Sequence, residues 1–142
     1  AANRARRHDP GLRAFYDGLV EEAQRNGFVT TLAGRRRLLP ELHSRNQQLA
    51  SQARRQAINT VIQGSAADII KMAMLAVARD KELRDLQARL ILQIHDELVL
   101  EAPKATAERA GARLREIMQS VTSLAVPLKV DLGTGFTWAQ AH

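Results

Sequence analysis

The triplet His95-Asp96-Glu97 stands between two short apolar runs, Arg89–Ile94 and Leu98–Leu100. Two adjacent carboxylates on a stiff support suit Mg²⁺, a hard cation that takes a few carboxylates and leaves its remaining positions to water and phosphate. Charged residues also favour turns for no chemical reason, and three residues make a short signature. Type and spacing therefore leave open both a cation seat and an ordinary polar turn.

The flanks decide how firmly such a tip would be held. Leu90, Leu92 and Ile94 alternate in the period of a strand, and Leu98-Val99-Leu100 continue the apolar pattern beyond the triplet. The spacing predicts a β-hairpin with all three charged residues in its turn and one apolar face buried. Burial of that face would make the tip rigid.

A second constellation lies upstream. From Gln47 to Gln63 no proline interrupts the chain, and Ala50, Ala53, Ala57 and Val61 fall on one side of a helix, a small-residue face fit for close packing. Gln48, Gln52, Arg55, Asn59 and Gln63 occupy the opposite side. Amides both donate and accept hydrogen bonds. They match the minor groove of a duplex, where every base pair presents acceptors at purine N3 and pyrimidine O2. Asn59 is a poor helix former at a mid-helix position, unlike the Ala or Glu that a plain surface favours. A solvated face with some amides in it is the plainer alternative.

Charge supports the first reading. The chain has 142 residues and a formal net charge of +6. Residues 1–59 hold eleven basic residues, all arginine, against five acids, whereas residues 60–142 hold ten of each. The whole excess thus lies in the first part, which includes Arg35, Arg36 and Arg37. The planar guanidinium fork matches phosphate oxygens. A basic segment beside an amide-striped helix points to nucleic acid. Cysteine is absent, which excludes disulfides, thiolate metal sites and Cys nucleophiles. No stretch reads as long and apolar enough to span a membrane, and the first residues show no signal-peptide pattern.

The remaining pattern predicts an α+β chain with strands paired in antiparallel hairpins packed against helices. Residues 1–9 read as a loose Arg-rich segment. Pro10 opens a helix with apolar positions Leu12, Phe15, Leu19, Val20 and Ala23, stopped at Asn26-Gly27. A hairpin over 28–39 turns at Ala33-Gly34 and ends at Pro40. Gly64 is expected to break the amide helix. Ser65 and Asp68 then read as a capping box for a new helix that buries Ile69, Ile70, Ala73, Ala76 and Val77. A helix over about 105–121 and a last strand over 128–132 follow, with Gly133 and Gly135 loosening the exit toward Trp138.

Three segments carry a resemblance. They are the run from Gly27 to Arg37 (GFVTTLAGRRR), the run from Arg55 to Asp68 (RQAINTVIQGSAAD) and the run from Leu92 to Val99 (LQIHDELV). Together, in this order and spacing, they resemble family A DNA polymerases, over residues 10–142 and in the C-terminal palm portion, including the end of the fingers. The resemblance implies that His95-Asp96-Glu97 is motif C. Asp96 would hold two catalytic Mg²⁺ ions, Glu97 would support it, and His95 would lie near the primer terminus. It implies that Arg55, Asn59 and Gln63 follow the minor groove of primer–template DNA, with Arg35, Arg36 and Arg37 on backbone phosphates. The implied reaction is template-directed nucleotidyl transfer from deoxynucleoside triphosphates by two-metal catalysis, in the cytoplasm on the nucleoid.

Departures from the family pattern are small, with Arg54 where an acid usually precedes the matched arginine and Leu38 in place of a frequent aromatic. More consequential, the metal-binding aspartate of motif A and the nucleotide-binding helix of motif B are not found in these residues. The expectation is that the isolated chain does not polymerise DNA, needs the remaining polymerase segments as partners, and is prone to self-association through an uncovered sheet edge. A non-catalytic nucleic-acid-binding module is the alternative, and a small metal-dependent phosphohydrolase using His95 as general base trails it.

Overall fold

Asp9 opens the first helix: its carboxylate accepts from the backbone N–H groups of Gly11 at 2.8 Å and Leu12 at 3.1 Å, satisfying donors that no helical carbonyl can reach. The structure, a computed structural model, describes residues 9–141. The expected loose segment therefore lies outside the described residues except for Asp9, which is a helix cap. Contacts divide the chain into two compact units, Ala1–Asp68 and Ile69–His142.

In the first unit, α1 (Pro10–Asn26) ends at Gly27, whose left-handed φ of 75° lets its N–H bond Ala23 O at 2.9 Å. The hairpin of β1 (Phe28–Thr30) and β2 (Arg36–Leu38) pairs Phe28 with Leu38 and Thr30 with Arg36. Pro40 then starts a 3₁₀ turn over Pro40–His43. The core gathers Ala23, Val29, Leu39, Leu42, Ala53 and Ala57. The expected alanine face is where the first part of α2 (Gln47–Arg79) packs, with Ala53 1% and Ala57 0% exposed.

Helix α2 corrects one expectation. It runs unbroken for 33 residues, about 50 Å at the usual rise, straight through Gly64. A mid-helix glycine costs about 1 kcal/mol relative to alanine, but a Cβ here would lie 2.8 Å from Thr31 Cγ2. Gly64 is thus a place where the hairpin loop approaches the helix, and no break occurs. The capping box is absent for the same reason. Within a continuous helix Ser65 donates back to the carbonyl of Val61, and Asp68 faces the hairpin. The unbroken helix also passes, by length and composition, as apolar enough to cross a bilayer, contrary to the sequence reading. In its middle turns Thr60, the Gly64 carbonyl, Ser65 and Asp68 are bonded to the first hairpin.

The second unit contains α3 (Lys81–Asp85), β3 (Arg89–Ile94), β4 (Glu97–Glu101), α4 (Ala107–Ser120) and the short α5 (Trp138–Ala141). Val77, Leu83, Leu86, Ala88, Ala110, Leu114 and Ile117 form its core, with Leu90, Leu98 and Leu100 packed on from the hairpin. Asp80 caps α3 by accepting from Leu83 N at 2.9 Å and binds Arg113 of α4 at 2.7 Å. Residues 128–132 form no strand. Leu132 instead lies over Gly111, where a Cβ would fall 2.8 Å from its Cδ2. Nor does Gly133 loosen the exit, because its missing side chain admits the carbonyl of Ala141 to the place a Cβ would take.

Candidate nucleic-acid interface

Helix α2 carries the first group of candidate residues, in the first unit. Its packed side is set by Ala53 and Ala57, so helical geometry turns Gln48, Gln52, Arg55, Asn59 and Gln63 outward, and all five are exposed. The face is lightly tied: Arg55 Nη1 donates to Ser51 Oγ at 3.2 Å, within its own helix. Extended amides and one guanidinium thus line the exposed side of the helix.

The three consecutive arginines are not equivalent. Arg35 reaches inward, with Nε on Asp68 Oδ1 at 3.0 Å and Nη2 on the Gly64 carbonyl at 3.2 Å. Arg36 lies over the Phe28 ring at 4.8 Å, a cation–π contact at the surface. Arg37 donates to Thr60 Oγ1 at 3.0 Å. All three remain exposed enough to meet an anion, yet each is first oriented by a protein partner. The sequence reading assigned them to phosphates and missed this orientation.

Missed altogether was the cluster that receives Arg35. Asp68 accepts from the Thr31 hydroxyl at 2.5 Å as well as from Arg35. The Leu32 N–H donates to Ser65 Oγ at 2.9 Å, and the Arg35 N–H donates to Thr31 Oγ1 at 3.2 Å. The signal was present as a glycine, a hydroxyl and an acid within five residues, 64–68. It was read as a local cap because its partners lie more than 28 residues away.

The second group occupies the tip of the β3–β4 hairpin, in the second unit. The turn is tighter than expected: Ile94 pairs with Glu97, which leaves His95 and Asp96 alone in the loop and puts Glu97 in β4. His95 adopts a left-handed φ of 50°, a conformation that two-residue hairpin turns require and that His tolerates better than most residues. The side chain of Gln93 braces it by donating to His95 O at 2.6 Å. Asp96 is exposed at the apex.

The flanks do not bury as expected. The ladder pairs Leu90 with Leu100 and then Leu92 with Val99, so Ile91 is an extra, bulged residue. A bulge shifts every later residue to the other face. Leu90 packs on the core, Ile94 is half-buried, and Ile91 and Leu92 are 56% and 43% exposed. The tip is held by its backbone, by Gln93 and by the one face, Leu90, Leu98 and Leu100, that packs on the core.

Asp96 and Glu97 offer hard oxygen donors of the type Mg²⁺ takes, alternating between a turn and a strand. Among the described residues no three His, Asp or Glu side chains converge as a metal site. The pair alone supplies two carboxylates of the chemistry that Mg²⁺ accepts.

A sequence profile of DNA polymerase family A matches residues 4–140. The chain is 54% identical to DNA polymerase I of Bacillus caldotenax over 93% of its length, and 47% identical to the thermostable DNA polymerase I of Thermus thermophilus over 93%. It spans only 15% and 16% of those relatives. Among solved structures, the POL domain of Pol1 from M. smegmatis, in complex with DNA primer-template and dNTP, superposes with a TM-score of 0.87 at 42% identity. That match covers 92% of this chain and 23% of the other.

Proposed function

Since this chain belongs to DNA polymerase family A, we propose that it is the motif C-bearing portion of a DNA-directed DNA polymerase, acting on primer–template DNA and deoxynucleoside triphosphates in the cytoplasm, on the nucleoid. The observation that carries the reading is the exposed row of Arg55, Asn59 and Gln63 above a packed alanine face. Amide and guanidinium donors at this spacing meet minor-groove acceptors that are nearly the same for all four base pairs. They therefore test base-pair shape and leave sequence unread. Arg35, Arg36 and Arg37 add phosphate contacts, which position the duplex without reading it.

Asp96 and Glu97 would hold Mg²⁺ together with carboxylates from other polymerase segments. Metal ions held there would supply neutralisation of the charge that develops in phosphoryl transfer. The contribution of this chain is placement. The two-residue turn fixes the Asp96 carboxylate at an apex, Glu97 adds negative charge beside it, and His95 faces the primer end. Carboxylates from a single tip do not neutralise two closely spaced divalent ions, so the isolated chain binds duplex DNA but does not extend a primer. Its exposed hairpin face also favours self-association.

Incubating the chain with primer–template, deoxynucleoside triphosphates and Mg²⁺ tests both halves of this reading. Duplex binding without extension is expected, with log affinity falling against log salt by about 0.9 per phosphate neutralised. Template-directed extension would remove the division of labour, and a flat salt response would remove the electrostatic contact. A purely DNA-binding module would leave Asp96→Ala without effect on activity restored by the other polymerase segments.

A further inference from the structure

Two of the contacts that hold the first hairpin meet on one carboxylate, and the others fall on the turns of helix that carry the exposed row. The Asp68 side chain is only 9% exposed, yet takes two donors from the hairpin, the Thr31 hydroxyl at 2.5 Å and Arg35 Nε at 3.0 Å. Arg35 Nη2 continues to the carbonyl of Gly64, the residue after Gln63. Arg37 holds Thr60, the residue after Asn59. Ser65 joins the Leu32 N–H to the same stretch of helix. The turns that present Asn59 and Gln63 are thus gripped from behind at residues 60, 64, 65 and 68.

Stability alone does not call for this chemistry. Apolar residues of similar volume commonly hold two elements together as well as a buried ion pair does. What directional hydrogen bonds add is a fixed rotation and height. A minor-groove contact depends on both, because a hydrogen bond weakens steeply once its angle or length drifts.

We propose that Asp68 is a positioning residue for minor-groove reading, an inference that rests on the function proposed above. Asp68 does not touch DNA. It takes two hairpin donors, and through Arg35 and Gly64 it sets the rotation of the helical turns that carry Asn59 and Gln63. It also holds the Arg35 fork by its inner edge, leaving a side chain that is 53% exposed with its outer edge ready for a backbone phosphate. A fork oriented in advance loses less side-chain freedom on meeting that phosphate.

The test compares binding of this chain to a short primer–template duplex and to the same duplex with 3-deazapurines at the junction, which lack the N3 acceptor. The natural duplex should bind about five- to tenfold more tightly, the worth of one or two well-made hydrogen bonds. Asp68→Asn should reduce that ratio to about one while the salt dependence stays close to that of the parent chain. Thr31→Val removes only a hydroxyl and should act in the same direction, whereas Thr31→Ser should restore the parent ratio. The Thr31 pair keeps the test sharp if Asp68→Asn fails to fold, which circular dichroism reveals. Loss of affinity for both duplexes alike, with the ratio intact, would reduce Asp68 to a structural residue and overturn the proposal. Asn59→Ala separates the two layers. A ratio lost in Asn59→Ala but kept in Asp68→Asn and Thr31→Val leaves minor-groove reading standing without this device. A parent chain with no preference removes the reading itself.

Discussion

The two hairpins of this chain solve opposite problems. β1–β2 pairs only three residues on each strand, yet its loop is tied to α2 through Thr31, Leu32 and Arg35. β3–β4 pairs more residues, carries a bulge, and exposes Ile91 and Leu92 on the face it turns from the core. One hairpin is a brace, with Thr31, Leu32 and Arg35 bonded to the helix beside it. The other is a pointer whose apex, His95-Asp96, is committed to nothing but its own turn and the Gln93 side chain. Polar side chains can thus serve as structure in one turn and remain available for chemistry in another, and the partners decide which.

The sharpest way to break the contrast is to remove the carboxylate at each site. In an intact polymerase containing this segment, Asp96→Ala should cut primer extension by about a thousandfold, several kcal/mol of lost charge stabilisation. Its urea midpoint should stay unchanged, because an exposed turn residue contributes little to folding. Asp68→Ala should do the reverse to stability. It strands the Thr31 hydroxyl and the inner edge of Arg35, costing about 2 kcal/mol, read as a lower urea midpoint at constant slope. A pointer residue that destabilised the fold, or a brace residue that did not, would erase the distinction.

How much of this the sequence disclosed follows from the range of the interactions. Helix α1, both hairpins, α4 and the buried alanine face were legible because caps, turns and apolar periodicity are local signals. Arg55, Asn59 and Gln63 came out on one exposed face for the same reason. The brace was illegible. Gly64 and Ser65 look like a helix break and a cap until Thr31 and Leu32 are brought against them, and tertiary contact then overrides local preference. The bulge at Ile91 was hidden too, since one extra residue leaves the composition of a strand unchanged while inverting its faces. The last strand failed because 128–132 has strand-like residues but no partner strand among the described residues.

A smaller effect sharpens the comparison within the second unit, which has its own brace. The Arg113 guanidinium, hydrogen-bonded to Asp80, holds that carboxyl below the usual carboxylate range, helped by the Leu83 N–H. A carboxyl whose pKa is lower folded than unfolded contributes stability above its unfolded value, and the contribution disappears as pH falls through the folded value. The unit should therefore lose stability as pH drops below about 4. Asp80→Asn keeps a good helix cap but removes the charge. It should lower stability at neutral pH by about 1 kcal/mol and flatten the acid limb of the denaturation profile. An acid limb as steep as that of the parent would assign the acid sensitivity to other carboxylates.

The mildest change probes what the pointer leaves uncovered. Ile91→Thr with Leu92→Thr keeps strand-compatible side chains and replaces apolar surface that is already exposed, so stability should move by no more than about 0.5 kcal/mol. Self-association should respond much more. The parent chain presents this face beside a two-stranded sheet whose edges are unpaired among the described residues, the combination that invites contact between copies. Sedimentation velocity should show a coefficient that rises with concentration in the parent and stays flat in the double variant. An equal rise in both would mean that the exposed face attracts no second copy, and the hairpins would then differ only in how their turns are held.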